Sequence, residues 1–501
     1  MRALTAAISL ALLCAAGVAG ALAPFGVWEN RLLGQPAWSE SDPGAFYVAA
    51  AHELAWGEPA RFVGHPGTPL MLLLRVVQEG YYRLDSPGDL SFSAFTARRL
   101  AAVYALSKLA VGLLHGLSFW LLYRFARALT RSERAACFAV LGYATSLPVL
   151  YYLSRISVEP LITISFCGAF LALWRYEEQA GSGRAARGLG WVALAALAAV
   201  TGAVSKFNFL GPLPLFLAGY LLLAGRRAAR RAIPERARGL ALVTFAAAAG
   251  AATLVYSQWI GWRDFFAFWR LLAGATGTPP GWRLGPATPH GILLSSELAF
   301  AALGVAGFFL LLRRAPRLER SRALWTAAYG AYTVLLFGYR IGVERSLLPF
   351  HYFWLAGALL AVYFGVAVES LLRRLPERSA RAAVLGVALV LFAHGLALYA
   401  VFDSRRYDAA EYARYRPLFA LIAELSPREL VAMPSTRAGA PPQFVIVSPP
   451  LDSRHYRLAD EFAALFTPVP PASLARDPRR VRVPGLDAEF GVAAGTKARQ
   501  N

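Results

Sequence analysis

Charge is the first thing this sequence has little of. Only 16% of its 501 residues are charged, against about 25% in an ordinary soluble domain, so much of the folded surface does not face water. Acids are scarcer than bases, 30 against 51, which leaves a formal net charge of +21. Lysine is nearly missing, with Lys108, Lys206 and Lys497 beside 48 arginines. Three cysteines, Cys14, Cys137 and Cys167, all fall in apolar stretches, which excludes a disulfide framework and a thiolate metal site. The chain contains no GxxxxGK[ST] phosphate loop, no GxGxxG and no HExxH, and each of those patterns carries a specific chemistry. A nucleotide-driven pump and an enzyme with a cytosolic nucleotide-sugar domain are excluded with them. An activated substrate, if there is one, comes from the membrane itself.

What is present is apolar. Hydrophobic residues make up 57% of the chain and the mean hydropathy is +0.45. Runs of about 18–20 apolar residues are long enough to cross a bilayer as helices. Such runs lie near 3–24, 100–122, 135–153, 157–174, 189–205, 207–224, 239–260, 292–312, 323–338, 348–370 and 382–402. The expected fold is an all-α polytopic membrane protein of about eleven transmembrane helices. The first span can alternatively be read as a cleavable signal peptide, because Arg2 and the run Ala21-Leu22-Ala23 have that form.

The loops set the orientation. Segments 124–134, 175–188, 225–238, 313–322 and 373–381, with Arg2, hold 23 basic residues and six acids. Cytoplasmic loops collect Arg and Lys, so these segments and the amino terminus are expected inside, and residues 403–501 outside. The basic excess therefore reports orientation and not a nucleic-acid partner. Residues 1–402 form one membrane module with a large first outer loop, 25–98. Residues 403–501 form a small α/β region with a strand expected at Gln443-Phe444-Val445-Ile446-Val447. No internal repeat and no inverted pair of interrupted helices is visible, which weighs against a transporter.

Chemistry-bearing residues gather on the outer side. Asp42 precedes Pro43 and a helix-like stretch, so it suits an N-cap, a role that leaves its carboxylate at the membrane surface. Tyr47 follows, then His65 in the turn Gly64-His65-Pro66-Gly67. Glu159 opens the span at 157–174 just after Arg155; an acid at that depth either faces a polar cavity or pairs with a cation such as Arg155. Lys206 ends the span at 189–205, while Arg340 and Arg345 flank the entry to a late span at Pro349. Singly, each cation suits snorkelling. Together they suit a phosphate, which guanidinium forks and ammonium charges both stabilise.

This arrangement resembles the GT-C superfamily of integral-membrane glycosyltransferases, nearest to the protein O-mannosyltransferases and the bacterial aminoarabinose and lipid A sugar transferases. The likeness covers residues 1–402 and rests on short motifs: one span followed by a large outer loop with Asp42, Tyr47 and His65-Pro66, then Glu159, Lys206 and Arg345-Ser346-Leu347-Leu348-Pro349. Many members have two adjacent acids where this chain has Asp42-Pro43, with Glu40 two residues earlier, so the base is Asp42 or Glu40.

The resemblance implies transfer of a sugar from a polyprenyl-phosphate carrier to a hydroxyl of a lipid, glycan or protein acceptor, in a bacterial inner membrane and on its outer face. Inversion needs a base for the acceptor proton and positive charge for the departing phosphate. Asp42 or Glu40 supplies the first, Lys206 and Arg345 the second, and Glu159 either orients the acceptor or helps to hold a divalent ion. The alternative is a transporter or flippase of lipid-linked saccharides. Alkaline phosphatase fusions test the orientation: a fusion after residue 278 is expected to be active and one after residue 230 inactive, and the reverse pattern would invert the topology.

Overall fold

The computed structural model describes residues 47, 51, 54–55, 67–85, 92, 95, 100–153, 156–227, 235–260, 262, 289–344 and 354–402, with four short strands beyond. Thirteen helices fall among these described residues. They are α1 (Thr68–Asp85), α2 (Leu100–Thr130), α3 (Glu133–Ala144), α4 (Leu147–Leu153), α5 (Glu159–Gly181), α6 (Ala185–Ser205) and α7 (Phe207–Leu210). After them come α8 (Leu213–Arg227), α9 (Glu235–Ser257), α10 (Pro289–Arg314), α11 (Arg317–Glu344), α12 (Trp354–Leu372) and α13 (Glu377–Phe402). The strands β1 (Leu430–Met433) and β2 (Gln443–Ile446) pair antiparallel, as do β3 (Arg480–Arg482) and β4 (Glu489–Gly491).

Each expected span after the first coincides with a helix or a pair of helices; the first, 3–24, lies outside the described residues. Five described segments are long and apolar enough to cross a membrane: Ala105–Thr130, Ala185–Ser205, Glu235–Ser257, Trp354–Leu372 and Glu377–Gly395. The chain is a multi-pass membrane protein. Large apolar side chains on α9 and α13, such as Val243, Leu254, Leu385 and Phe392, are exposed, the pattern of helices that face lipid.

The expected span 135–153 is broken, and a second break separates the expected spans 189–205 and 207–224. Pro148, in the first turn of α4, cannot donate a backbone N–H. Thr145 and Ser146 turn their hydroxyls back to Leu141 O and Tyr143 O, both at 2.8 Å, the same carbonyls that accept their backbone N–H groups. Between α6 and α8 the chain passes through Lys206, the single turn α7, and Pro212. Packing elsewhere is close enough to exclude side chains: a Cβ at Gly307 would collide with the Tyr363 carbonyl, and one at Gly365 with that of Ala135. Helices α10, α12 and α3 therefore meet almost backbone to backbone.

The core is aromatic. Phe125 stacks on Trp174 at 5.0 Å, Phe166 lies 4.9 Å from Phe170, and Tyr329 adjoins both Phe166 and Phe216. At the arginine-rich end this core closes on a buried charge cluster. Arg322 donates to Glu177 at 2.7 and 3.2 Å, Tyr220 donates to the other Glu177 oxygen at 2.6 Å, and the guanidinium lies 4.8 Å from the Trp174 ring centre. The cluster ties α5, α8 and α11. Arg131 pairs with Glu319, and Ser132 donates to Glu369 at 2.6 Å, which adds α2, α3 and α12 to the same end. Breaking a buried pair strands the remaining charge at a cost of about 3–5 kcal/mol. Arg322→Ala is expected to lose stability of that size in detergent unfolding, whereas Arg322→Met with Glu177→Leu recovers most of it.

Candidate functional site

At the opposite end of the bundle, away from the arginine clusters, one helix begins beside the point where another breaks. Helix α5 starts at Glu159-Pro160, with Val158 as its N-cap. Proline is tolerated in the first turn because its missing N–H would have had no helical partner. Its ring fixes the helix start, and the carboxylate of Glu159 sits where the helix dipole favours negative charge.

Helix α6 ends at Lys206, whose backbone is extended at φ −146 and ψ 85. The Lys206 N–H still donates to Gly202 O at 3.0 Å, and its carbonyl accepts from Phe209 and Leu210 at 3.1 and 3.0 Å. The residue thus serves both α6 and α7 and leaves no backbone group of its own unpaired. Gly202 brings the two elements close: a Cβ there would lie 2.6 Å from Leu210 and 2.8 Å from Ser165 on α5.

That approach lets the side chains meet. Lys206 Nζ lies 3.1 Å from Glu159 Oε1, and both side chains are almost wholly buried, at 3% and 2% exposure. Phe209 packs beneath the ammonium, its ring centre 5.9 Å from Nζ. The second carboxylate oxygen, Oε2, and the nearby Ser157 hydroxyl are buried and have no hydrogen-bond partner among the described residues. One turn along α5 from Glu159, Thr163 Oγ1 bonds Tyr143 OH at 2.7 Å and accepts from Trp354 Nε1 at 2.9 Å. His115, fully buried, lies 5.9 Å from the Trp354 ring.

A roof comes from earlier in the chain. Gly67 N–H donates to the carbonyl of Ser205 at 3.3 Å, directly before Lys206. Gly67 has φ +52 and lies under the Tyr47 ring, which a Cβ at this position would strike. Tyr47, Ala51 and Leu54, spaced along one helical face, are buried with Leu70, Met71 and Leu74 of α1 and with Ile156, Val158 and Leu161 around the start of α5. The described part of the expected first outer loop is in this way fastened to the end of α6 and packed against the start of α5.

Of the residues singled out from sequence, Glu159 and Lys206 form an ion pair, and Tyr47 is buried in an apolar cluster with Val158 and Leu161 at the start of α5. Glu159 has Lys206 as its partner. Arg340 belongs to the backbone of α11. Asp42, Glu40, His65, Arg155 and Arg345 lie outside the described residues. Ser157, Thr163, Tyr143 and Trp354 were given no role from sequence. The i to i+4 spacing of Glu159 and Thr163 was a usable signal, since it puts both on one helix face; Tyr143 and Trp354 reach the cluster only through tertiary packing.

Among the described residues, Glu159 has an ammonium as its ion-pair partner, and no group of three His, Cys, Asp or Glu that could hold a metal is present. A dication bound to this carboxylate about 4 Å from the ammonium would meet a repulsion of about 8 kcal/mol at an effective dielectric of about 20.

No protein-family profile and no curated protein sequence matches the chain. Solved structures do. The apo oligosaccharyltransferase of Archaeoglobus fulgidus is similar with a TM-score of 0.51 at 15% identity, over 84% of this chain and 58% of that one. ArnT from Cupriavidus metallidurans, in a structure bound to undecaprenyl phosphate, is similar with a TM-score of 0.51 at 15% identity, over 90% of this chain and 86% of that one. The chain shares the fold of these two structures. The likeness with ArnT spans nearly the whole of both chains, whereas the present chain matches little more than half the length of the oligosaccharyltransferase. The resemblance expected from the sequence is borne out at the level of the fold.

A left-handed backbone costs an L-residue about 1–2 kcal/mol. Gly67→Ala is expected to lose at least that much in thermal unfolding. Adding Tyr47→Ala is expected to relieve the collision but not the backbone strain, so the double variant should recover only part of the loss.

Proposed function

We propose that the protein is a glycosyltransferase that moves a sugar from a polyprenyl-phosphate carrier to an acceptor hydroxyl on the outer face of a bacterial inner membrane, with inversion. The observation that carries this reading is the buried Lys206, held at a helix break under the Tyr47–Gly67 roof, in a fold shared with ArnT bound to undecaprenyl phosphate. An ammonium set in a water-poor pocket is worth far more to a departing phosphate than one in bulk water. Arg345, Arg340 and Arg155 complete the phosphate site in this reading, and Tyr47 and His65 line it.

Asp42 is the general base, with Glu40 two residues before it as the second candidate. The base takes the proton from the acceptor hydroxyl as that oxygen attacks the anomeric carbon, and the carbon–oxygen bond to the carrier phosphate breaks on the opposite side. The acceptor is a lipid, glycan or protein hydroxyl. The roof keeps water from the same carbon. Residues 403–501 form a separate outer region in this scheme, and the amino terminus lies in the cytoplasm.

Loss of a general base costs about 10²–10⁴-fold in rate. Asp42→Asn is expected to lose transfer on that scale, measured with labelled polyprenyl-phosphate sugar and purified protein, with an unchanged melting profile. Wild-type turnover in both Asp42→Asn and Glu40→Gln would remove the base assignment. Product formation without any ion gradient separates transfer from transport.

A further inference from the structure

We infer that the Lys206 ammonium occupies, at Glu159, the place that a divalent ion would take between a protein carboxylate and a donor phosphate. The inference rests on the transfer reading above and specifies how its phosphate is held. Three observations carry it. Lys206 Nζ stands 3.1 Å from Glu159 Oε1 with both side chains buried, so the carboxylate already has its counter-ion. The lysine backbone is pinned from both sides, by Gly202 O and by the N–H groups of Phe209 and Leu210, while Phe209 supports the ammonium from below. The cation is thus fixed in position, as a metal fixed by ligands would be, and not left to snorkel. Third, an ammonium has three donors and no acceptor. Glu159 takes one of them, and the others remain for phosphate oxygens.

Glu159 is on this account a positioning residue. Its negative charge balances the buried cation, and its single bond orients the ammonium. Neutralising the acid leaves a lysine without the group that places it. Lys206→Arg keeps the charge but alters the reach and geometry, since guanidinium and ammonium are not interchangeable at a fixed site.

Two measurements on purified full-length protein in lipid nanodiscs test the inference. The first is Mn²⁺ binding followed by paramagnetic resonance, in wild type and Glu159→Gln. Equal binding in the two is expected, and an Mn²⁺ site present in wild type and lost in Glu159→Gln overturns the inference. The second is binding of undecaprenyl phosphate with and without EDTA. Wild type is expected to bind equally in both conditions. Glu159→Gln is expected to bind at least about tenfold more weakly, as when one partner of a buried charge pair is removed. A merely structural Glu159 would lower the melting temperature and leave the affinity of the folded protein for undecaprenyl phosphate unchanged, and this result also overturns the inference. If wild type binds no undecaprenyl phosphate in either condition, the transfer reading fails with it; a Glu159-dependent Mn²⁺ site in protein that does bind the lipid defeats only the present inference.

Discussion

Inside a bilayer a backbone N–H or C=O that leaves its helix has no water to turn to, so a broken span must satisfy itself within the protein. This constraint explains why the candidate site lies where it does. The interruption at Lys206 is possible because that residue's own N–H and C=O are reclaimed by Gly202, Phe209 and Leu210. The exposed carbonyl before it, at Ser205, is met by Gly67 from a distant loop. Once a break is sealed in this way, the side chain at its centre points into protein and not into lipid, and a charge can be kept there.

The two ends of the bundle handle buried charge differently. At the arginine-rich end Glu177 is fully engaged by Arg322 and Tyr220, with Trp174 beneath the guanidinium, and the cluster fastens helices. The Glu159–Lys206 pair is only half satisfied: one carboxylate oxygen and the Ser157 hydroxyl have no described partner. A buried polar group without a partner is costly. Glu319 Oε2 and Trp174 Nε1, at the arginine-rich end, likewise have no described partner, so the two ends differ in how Glu177 and Glu159 are engaged and not in having an unmet group.

Much of this was legible in the chain. The runs after the first could be read as apolar helices because lipid demands them, and described helices fall in both 135–174 and 189–224; of these segments Ala185–Ser205 is long and apolar enough to cross a membrane. Lys206 stood out as one of three lysines in an arginine-rich protein. The end of its helix stood out as well, since the apolar runs 189–205 and 207–224 meet at this residue. The partner of Glu159 was open, since Arg155 is nearer in sequence and only the packing of α5 on α6 through Gly202 selects Lys206. The Thr163–Tyr143–Trp354 cluster joins three remote segments and left no local trace except the spacing of Thr163 from Glu159.

The bond from Gly67 to Ser205 has a consequence for synthesis. Domains assemble from the amino terminus as the chain emerges, and long-range contacts must wait for both of their partners. The segment that carries Tyr47 and Gly67 is made before α2 through α6 exist, and it has nothing to close upon until the end of α6 has been threaded into the bilayer. The pocket is therefore among the later features to form on the nascent chain, open to the surroundings while the first half of the bundle is built beneath it.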